Sequence, residues 1–408
     1  MRPLSDTPPL DPPTDRPVLA PLYLANLVCS MGMMGFVALA APLADTLGLL
    51  PWQIGLSATA GGLGWVLTAR AWGRAADTLG RKQVLVAGLA GFTVAYFALC
   101  LVAQAGASWG LGTALTLGGL VVARFAAGLA YSALPAAGGA LIADHFRAEV
   151  RAGAMGKLGA AQAGGMLLGP AAVVLMAGPS PVLPLFLLAV IQVFALAYLW
   201  FRLPSDSKAS AGIAPPLPLT DPRLIRPFAV AFCAMVAIGT AQIVVGFAAL
   251  DRLGLAGPGA TRVAGLALAS VAVALILAQM VVGRLGWQPR RLMLTGGLIA
   301  AIGIGFAGFA PNAVGLVLAY ALGGFGAGWV MPAINAAAAN AVDADEQGRA
   351  AGAVSTALGI GAMVGPLVGG ALYGLGHILP FLAGALFLAA AALIGARIRD
   401  RNSTSTGC

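Results

Sequence analysis

The chain has 408 residues, 60% of them hydrophobic and only 9% charged, with a mean hydropathy of +0.92. So few polar residues cannot cover a soluble domain of this length, and the composition predicts an integral membrane protein. The net charge of +9 is accounted for by membrane topology and contact with anionic lipid, so no nucleic acid partner is implied.

Residues 1–19 carry Pro3, Pro8, Pro9, Pro12, Pro13 and Pro17 among mixed charges and lack the basic start and cleavage site of a signal peptide, so a short cytoplasmic tail is expected. Twelve apolar stretches follow, at about 20–43, 54–72, 83–104, 112–143, 154–177, 182–201, 228–250, 263–284, 291–310, 314–341, 350–375 and 378–396. Each approaches or exceeds the roughly 20 residues that cross a bilayer as a helix. Helices are required because lipid offers the backbone no hydrogen-bond partner, and the stretches are too long and too evenly apolar for barrel strands. The fold class expected is all-α, with 12 transmembrane helices.

A polar interruption divides the spans six and six. The expected organisation is a six-helix bundle over 20–202, a cytoplasmic linker over 203–226, a second bundle over 227–398 and a cytoplasmic tail over 399–408. Every Lys and Arg except Arg124, Arg252 and Arg262 falls in segments facing one side. The positive-inside rule makes that side cytoplasmic, with both termini inside and the chain in the plasma (bacterial inner) membrane. Cys29, Cys100 and Cys233 lie within spans and Cys408 is near the chain end, which implies no disulfide framework. Asn402 opens a glycosylation sequon that a cytoplasmic tail would leave unused.

A glycine pattern occurs twice: Gly156, Gly165, Gly169 and Pro170 in span five, and Gly352, Gly361, Gly365 and Pro366 in span eleven, 196 residues apart. A weaker echo sets Gly73, Arg74 and Arg81 after span two against Gly283, Arg284 and Arg291 after span eight, 210 residues apart. Two parallel halves with a site between them would explain both, as in carriers whose halves rock about a midplane pocket. Repetition of a helix-packing plan alone would also produce the glycine pattern. The prolines should bend their helices, and the glycines should let neighbours approach closely.

The loop Gly73-Arg74-Ala75-Ala76-Asp77-Thr78-Leu79-Gly80-Arg81-Lys82 resembles the loop 2–3 signature of the major facilitator superfamily, departing only at Thr78, where a basic residue is usual. Residues 42–55 resemble the first loop of that family's twelve-span drug:proton antiporters, and Arg124 with Gly128 resembles their span-four signature. The resemblance covers the whole chain and implies two pseudo-symmetric six-helix bundles. It also implies a conformational gate in which Asp77 docks on the start of span eleven and Arg81 pairs with Asp144, latching the outward-facing state. Gly73, Gly80 and Lys82 belong to the same loop. Gly165, Gly169 and Pro170 match the antiporter motif, but Val173 and Val174 stand where the family has a trailing Gly-Gly.

Arg124 lies roughly 15 Å deep in span four, where an arginine costs about 2.5–3.5 kcal/mol. It should therefore face a wet cavity or a partner, or bond to helix carbonyls. The resemblance associates it with proton coupling or with holding an anionic group. No carboxylate lies deep in a span; Asp45 and Asp251 are near outer ends, and Asp45 is the first candidate proton acceptor. His145 and His377 also lie at span ends, where an interfacial hydrogen-bonding role is more usual than a relay. The pocket is expected between spans one, four, seven and ten, with help from five and eight. Its candidate lining is Asn26, Arg124, Tyr131, Gln162, Gln242, Gln279, Trp329 and Asn335, with Met31, Met33 and Met34 as an adaptable apolar surface. Packing against a neighbouring helix would explain any one of these residues as well.

The expected function is secondary active transport: a proton-coupled exporter of an amphipathic organic molecule, in the sharper version anionic or zwitterionic, working as a monomer. The alternative is an importer or facilitator of a small metabolite. An enzyme or an ATP-driven pump would need catalytic or metal-binding clusters or a phosphate-cradling loop, and the sequence has none; no cofactor and no metal are expected.

Overall fold

The computed structural model describes residues 16–146, 148–178, 180–203, 218, 220–343 and 346–398. The start of the proline-rich tail, most of the linker, and the tail with Asn402 and Cys408 lie outside the described residues. In chain order the helices are α1 (Arg16–Ala38), α2 (Ala40–Leu47), α3 (Pro51–Leu79), α4 (Arg81–Ser108), α5 (Thr113–Tyr131), α6 (Ala133–His145), α7 (Ala148–Leu175) and α8 (Val182–Arg202). They continue with α9 (Ile225–Phe247), a π-helical turn (Ala248–Arg252), α10 (Gly257–Leu285), α11 (Pro289–Ala307), α12 (Ala313–Asn340), α13 (Gln347–Leu375) and α14 (Leu379–Ala396). Strands are absent among the described residues.

Two expected spans are each broken into a pair of helices, and proline chemistry explains where. Pro42 and Pro135 have no amide hydrogen to give the carbonyl four residues back. Those carbonyls belong to Ala38 and Tyr131, the last residues of α1 and α5. Pro170, Pro332 and Pro366, by contrast, sit inside helices that continue through them. Eleven stretches among the described residues are long and apolar enough to cross a membrane. The twelfth span, α3, has the length at 29 residues, but its glycines, Ser57, Thr59, Thr68 and Arg70 dilute its hydropathy. It gains its place by packing against α5 and α13.

Helix pairing repeats across the two halves. In the first half α1 packs on α7 and α8, α3 on α5, and α4 on α5 and α8; in the second, α9 packs on α13 and α14, α10 on α12, and α11 on α12 and α14. The halves meet along α3 with α13 and along α7 with α10. These are equivalent pairs, because α3 corresponds to α10 and α7 to α13.

Glycine places these seams. A β-carbon at Gly165 or Gly169 would run into the backbone of Leu27 or Met31 on α1, and one at Gly361 or Gly365 into Phe232 or Val236 on α9. The carbonyl of Pro170 faces Gly265 of α10, and the carbonyl of Pro366 faces Gly55 of α3. Gly55 and Gly265 are 210 residues apart and Pro170 and Pro366 are 196 apart, the two offsets of the sequence repeats. Gly156, by contrast, has nothing near it.

Candidate functional site: the seam between the halves and a buried arginine

The contacts across the seam follow one face of α3. Gly370 meets Pro51 and Trp52, Gly55 meets Pro366, Gly62 meets Met363, and Gly359 meets Val66. The Thr59 hydroxyl donates to the Met363 carbonyl at 2.7 Å. All of these lie between mid-depth and the end of the bundle remote from the basic loops. Further along the same face Arg70 is exposed and Gly73 has no neighbour within 4 Å; on α7, Gly153, Gly156 and Gly159 are likewise open. The halves are therefore closed at the remote end and apart at the basic end.

At the basic end Arg81 is buried and binds two carboxylates. Its Nη1 donates to Asp77 at 2.6 Å and its Nε to Asp144 at 2.8 Å. Gly80 carries a φ of +104, a left-handed value that lets α3 turn directly into α4. Lys82 is half-buried. Among the described residues Asp77 is bonded to Arg81, and the expected Arg81–Asp144 pair is made.

Arg124 is 2% exposed and sits inside the first half, between α1, α3 and α5. Its guanidinium lies 4.5 Å from the centre of the Phe36 ring, and Nη1 points at the Met33 sulfur, 3.1 Å away. Gly61 leaves room for it: a β-carbon there would come 3.4 Å from Nη2. No carboxylate pairs with Arg124 among the described residues, and its Nε has no hydrogen-bond partner. A desolvated cation–π contact returns about 2 kcal/mol, less than the insertion cost of about 2.5–3.5 kcal/mol.

One turn from Met33 on α1 and about two turns from Arg124 on α5, the hydroxyls of Ser30 and Tyr131 are 2.8 Å apart, and the Gln162 amide donates to Tyr131 at 3.4 Å. Trp65 packs edge-on to the Tyr131 ring at 5.3 Å. Arg124 and Tyr131 thus each meet α1, and Gln162 reaches Tyr131, whereas other candidates are placed elsewhere. Asn26 is buried and donates to Leu22 of its own helix. Trp329 is buried with its indole bonded to Ala278 of α10 and packed on Trp287 and Phe325. Gln242 is half-buried; Gln279, Asn335 and Asp45 are exposed. Sequence reasoning missed Ser30, Trp65 and Phe36, and also Gln192, which is fully buried with neither amide atom paired. Only burial against α1 and α4 distinguishes Gln192 from any other span glutamine.

The sequence profile described as Major Facilitator Superfamily matches twice, over residues 22–261 and 257–407. The chain belongs to the Major Facilitator Superfamily. It is a multi-pass membrane transporter and not an enzyme. Among curated relatives of this superfamily member, it is 28% identical over 331 residues to a tetracycline resistance protein, class G, of Vibrio anguillarum, covering 76% of this chain and 77% of that protein. It is 31% identical over 146 residues to the multi-drug resistance efflux pump PmrA of Streptococcus pneumoniae, a match spanning 35% of this chain and only 36% of the pump. Among solved structures, a bacterial homologue of the human lysosomal transporter Spinster, in an inward-facing and unoccupied conformation, superposes with a TM-score of 0.74 at 15% identity, covering 95% of this chain and 97% of that one. The nucleoside transporter NupG superposes with a TM-score of 0.69 at 16% identity, over 93% and 98% of the two chains.

Proposed function

We propose that this transporter is a proton-coupled exporter of an amphipathic organic molecule, anionic or zwitterionic in charge, acting as a single chain by alternating access. The observation that carries the reading is the paired glycine–proline seam. Pro170 against Gly265 and Pro366 against Gly55 form two equivalent pivots about which bundles 20–202 and 227–398 rock. With the basic end cytoplasmic, as the positive-inside rule requires, the conformation described is open to the cytoplasm. Closing that end brings Asp77 to the start of α13 while Arg81 holds Asp144.

Arg124 is the fixed cation of the site, and a second group about two turns further along α5, Ser30, Tyr131 and Gln162, supplies hydroxyl and amide contacts. Its charge has no carboxylate to neutralise it among the described residues, which favours an anionic group on the cargo and handicaps a cation. Efflux is supported by the match to Gly165, Gly169 and Pro170 and by the functions named for the two curated relatives. Asp45, exposed at the remote end, is the candidate proton acceptor. Import is favoured by a single feature: Val174, standing in place of a glycine, packs against Gly265 at one pivot.

The test is counterflow in proteoliposomes with anionic, zwitterionic and cationic compounds, with and without a pH gradient. Anions and zwitterions should exchange in preference to cations. Arg124→Ala should reduce the gradient-driven part at least about tenfold, equivalent to about 1.4 kcal/mol of coupling. Equal exchange of cations and no response to the gradient would refute the proposal.

A further inference from the structure

A cavity of about 360 Å³ lies at the basic end of the second half, away from the seam between the halves. It is framed by the turn from α10 to α11 and by the end of α14, and is lined by Trp287, Gln288, Arg290, Arg291, Leu294 and Ala396. Gly286, with a φ of +58, makes the tight turn that lets α11 begin three residues later. The Arg291 guanidinium lies 4.0 Å above the Trp287 ring, and Trp287 is itself braced edge-on by Trp329 at 5.7 Å. The platform is therefore held by a buried residue of α12.

Three observations describe what would fill it. Arg290 and Arg291 are exposed and form no ion pair with a carboxylate among the described residues. They stand on the first turn of α11, where the helix dipole adds positive potential. Finally, the cavity opens onto an apolar track: beyond Leu294 the exposed residues of α11 are Leu298, Ile302 and Phe306, and the adjoining α14 exposes Leu386 and Leu393. A free anion would satisfy the charge but would leave the track bare; a protein segment would need partners for the cations. A molecule with a negative head and hydrocarbon tails fits both parts.

We infer that this cavity binds the headgroup of an anionic phospholipid, with its phosphate on Arg290 and Arg291, its glycerol region against Trp287, and its acyl chains along α11 and α14. Arg291 is held in place by Trp287, so its planar guanidinium can face a phosphate with little loss of side-chain freedom. Basic pockets at the membrane interface favour such lipids for the same reason.

The experiment is native mass spectrometry of the purified full-length chain with phosphatidylglycerol, cardiolipin or phosphatidylcholine, and with inorganic phosphate alone. Wild type should retain the two anionic lipids in preference to phosphatidylcholine. Arg290→Gln/Arg291→Gln should weaken that binding about tenfold or more, the loss of roughly one charge-assisted contact's worth of affinity. Leu294→Trp, which fills the cavity and keeps both charges, should weaken it as well. Arg202→Gln, at the same membrane face but outside the cavity, should change nothing. Equal binding of phosphatidylcholine, an equal loss in Arg202→Gln, or full binding by Leu294→Trp would overturn the inference. So would inorganic phosphate occupying the site as well as the lipids do, since that would make it a free-anion site.

Discussion

Gln192 on α8 is fully buried in the first half. Both its amide atoms are buried without a hydrogen-bond partner, a condition that costs about 1–3 kcal/mol. Gln192→Leu should therefore raise the unfolding temperature of the purified transporter; a fall would show that the amide is satisfied in the membrane and that the polar atoms stabilise the first half. The exposed ion pairs of the linker behave differently. Arg223 donates to Asp221 at 2.9 Å and to Glu346 at 2.6 Å, tying the stretch before α9 to the start of α13. Hydrogen bonding from Arg223 holds both carboxyl groups below their usual range. A depressed carboxyl stabilises the folded state above its unfolded pKa, about 4.3 for Glu, and loses that contribution as pH falls through the lower folded value. Hydrogen exchange in the first turn of α13 should therefore be slower in wild type than in Glu346→Gln at neutral pH. The two should converge below about pH 4, and a difference that persists at acid pH would contradict the pairing. At this scale the sequence was only partly legible. Arg124 announced itself because a lone guanidinium in a span is expensive, but its contacts with Phe36 and Met33 depend on side-chain packing that no spacing rule encodes. Asn26 and Trp329 were polar or aromatic at suitable depths, yet a helix carbonyl one turn back and the Ala278 carbonyl were nearer partners.

Among the helices, glycine carries most of the information. Gly55 and Gly265 allow backbone-to-backbone approach at the two pivots, and added side chains would strike the Pro366 carbonyl in one case and Val174 and Pro170 in the other. Gly55→Leu or Gly265→Leu should thus force the remote end apart and favour closure at the basic end. In a cysteine-free background, Thr59→Cys should label faster and Ser355→Cys more slowly than with the pivot glycine intact. Unchanged rates at both positions in Gly265→Ala and Gly265→Leu would remove that contact from the mechanism. The Thr59 bond to Met363 adds about 0.5–1.5 kcal/mol to the closed remote end. The repeat was visible in the sequence because close packing tolerates only glycine at Gly165, Gly169, Gly361 and Gly365, whatever the surrounding residues; Gly156, which is open, is not explained in this way. Helix breaks at Leu39 and Ser132 were less visible: Pro42 and Pro135 marked them, yet Pro170, Pro332 and Pro366 are carried within continuous helices. Proline alone does not decide between a break and a tolerated defect; the neighbours that re-satisfy the freed carbonyl do.

For the whole molecule, composition and the distribution of Lys and Arg were sufficient to define a twelve-span membrane protein, because the bilayer imposes length and apolarity on each crossing. The open side was not legible, since the two conformations of the proposed rocking motion would use the same residues and differ only in which contacts between the halves are made. Here the glycine contacts between α3 and α13 run from Gly370 and Pro51 to Val66 and Gly359, and Gly73 beyond them has no neighbour within 4 Å. The loop carrying Asp77 and Arg81 belongs to the separated end, and there Asp77 is held by Arg81. Rocking about the two pivots would reverse the pattern without breaking either half, whose internal packing pairs are equivalent. The central claim is tested most directly by electron paramagnetic resonance distances in two doubly spin-labelled proteins, one labelled at Lys157 and Arg284 at the basic end and the other at Trp52 and Leu375 at the remote end. When a transported compound and a pH gradient are supplied, the first distance should shorten while the second lengthens; two distances that stay fixed, or that change in the same direction, would contradict rocking between the halves.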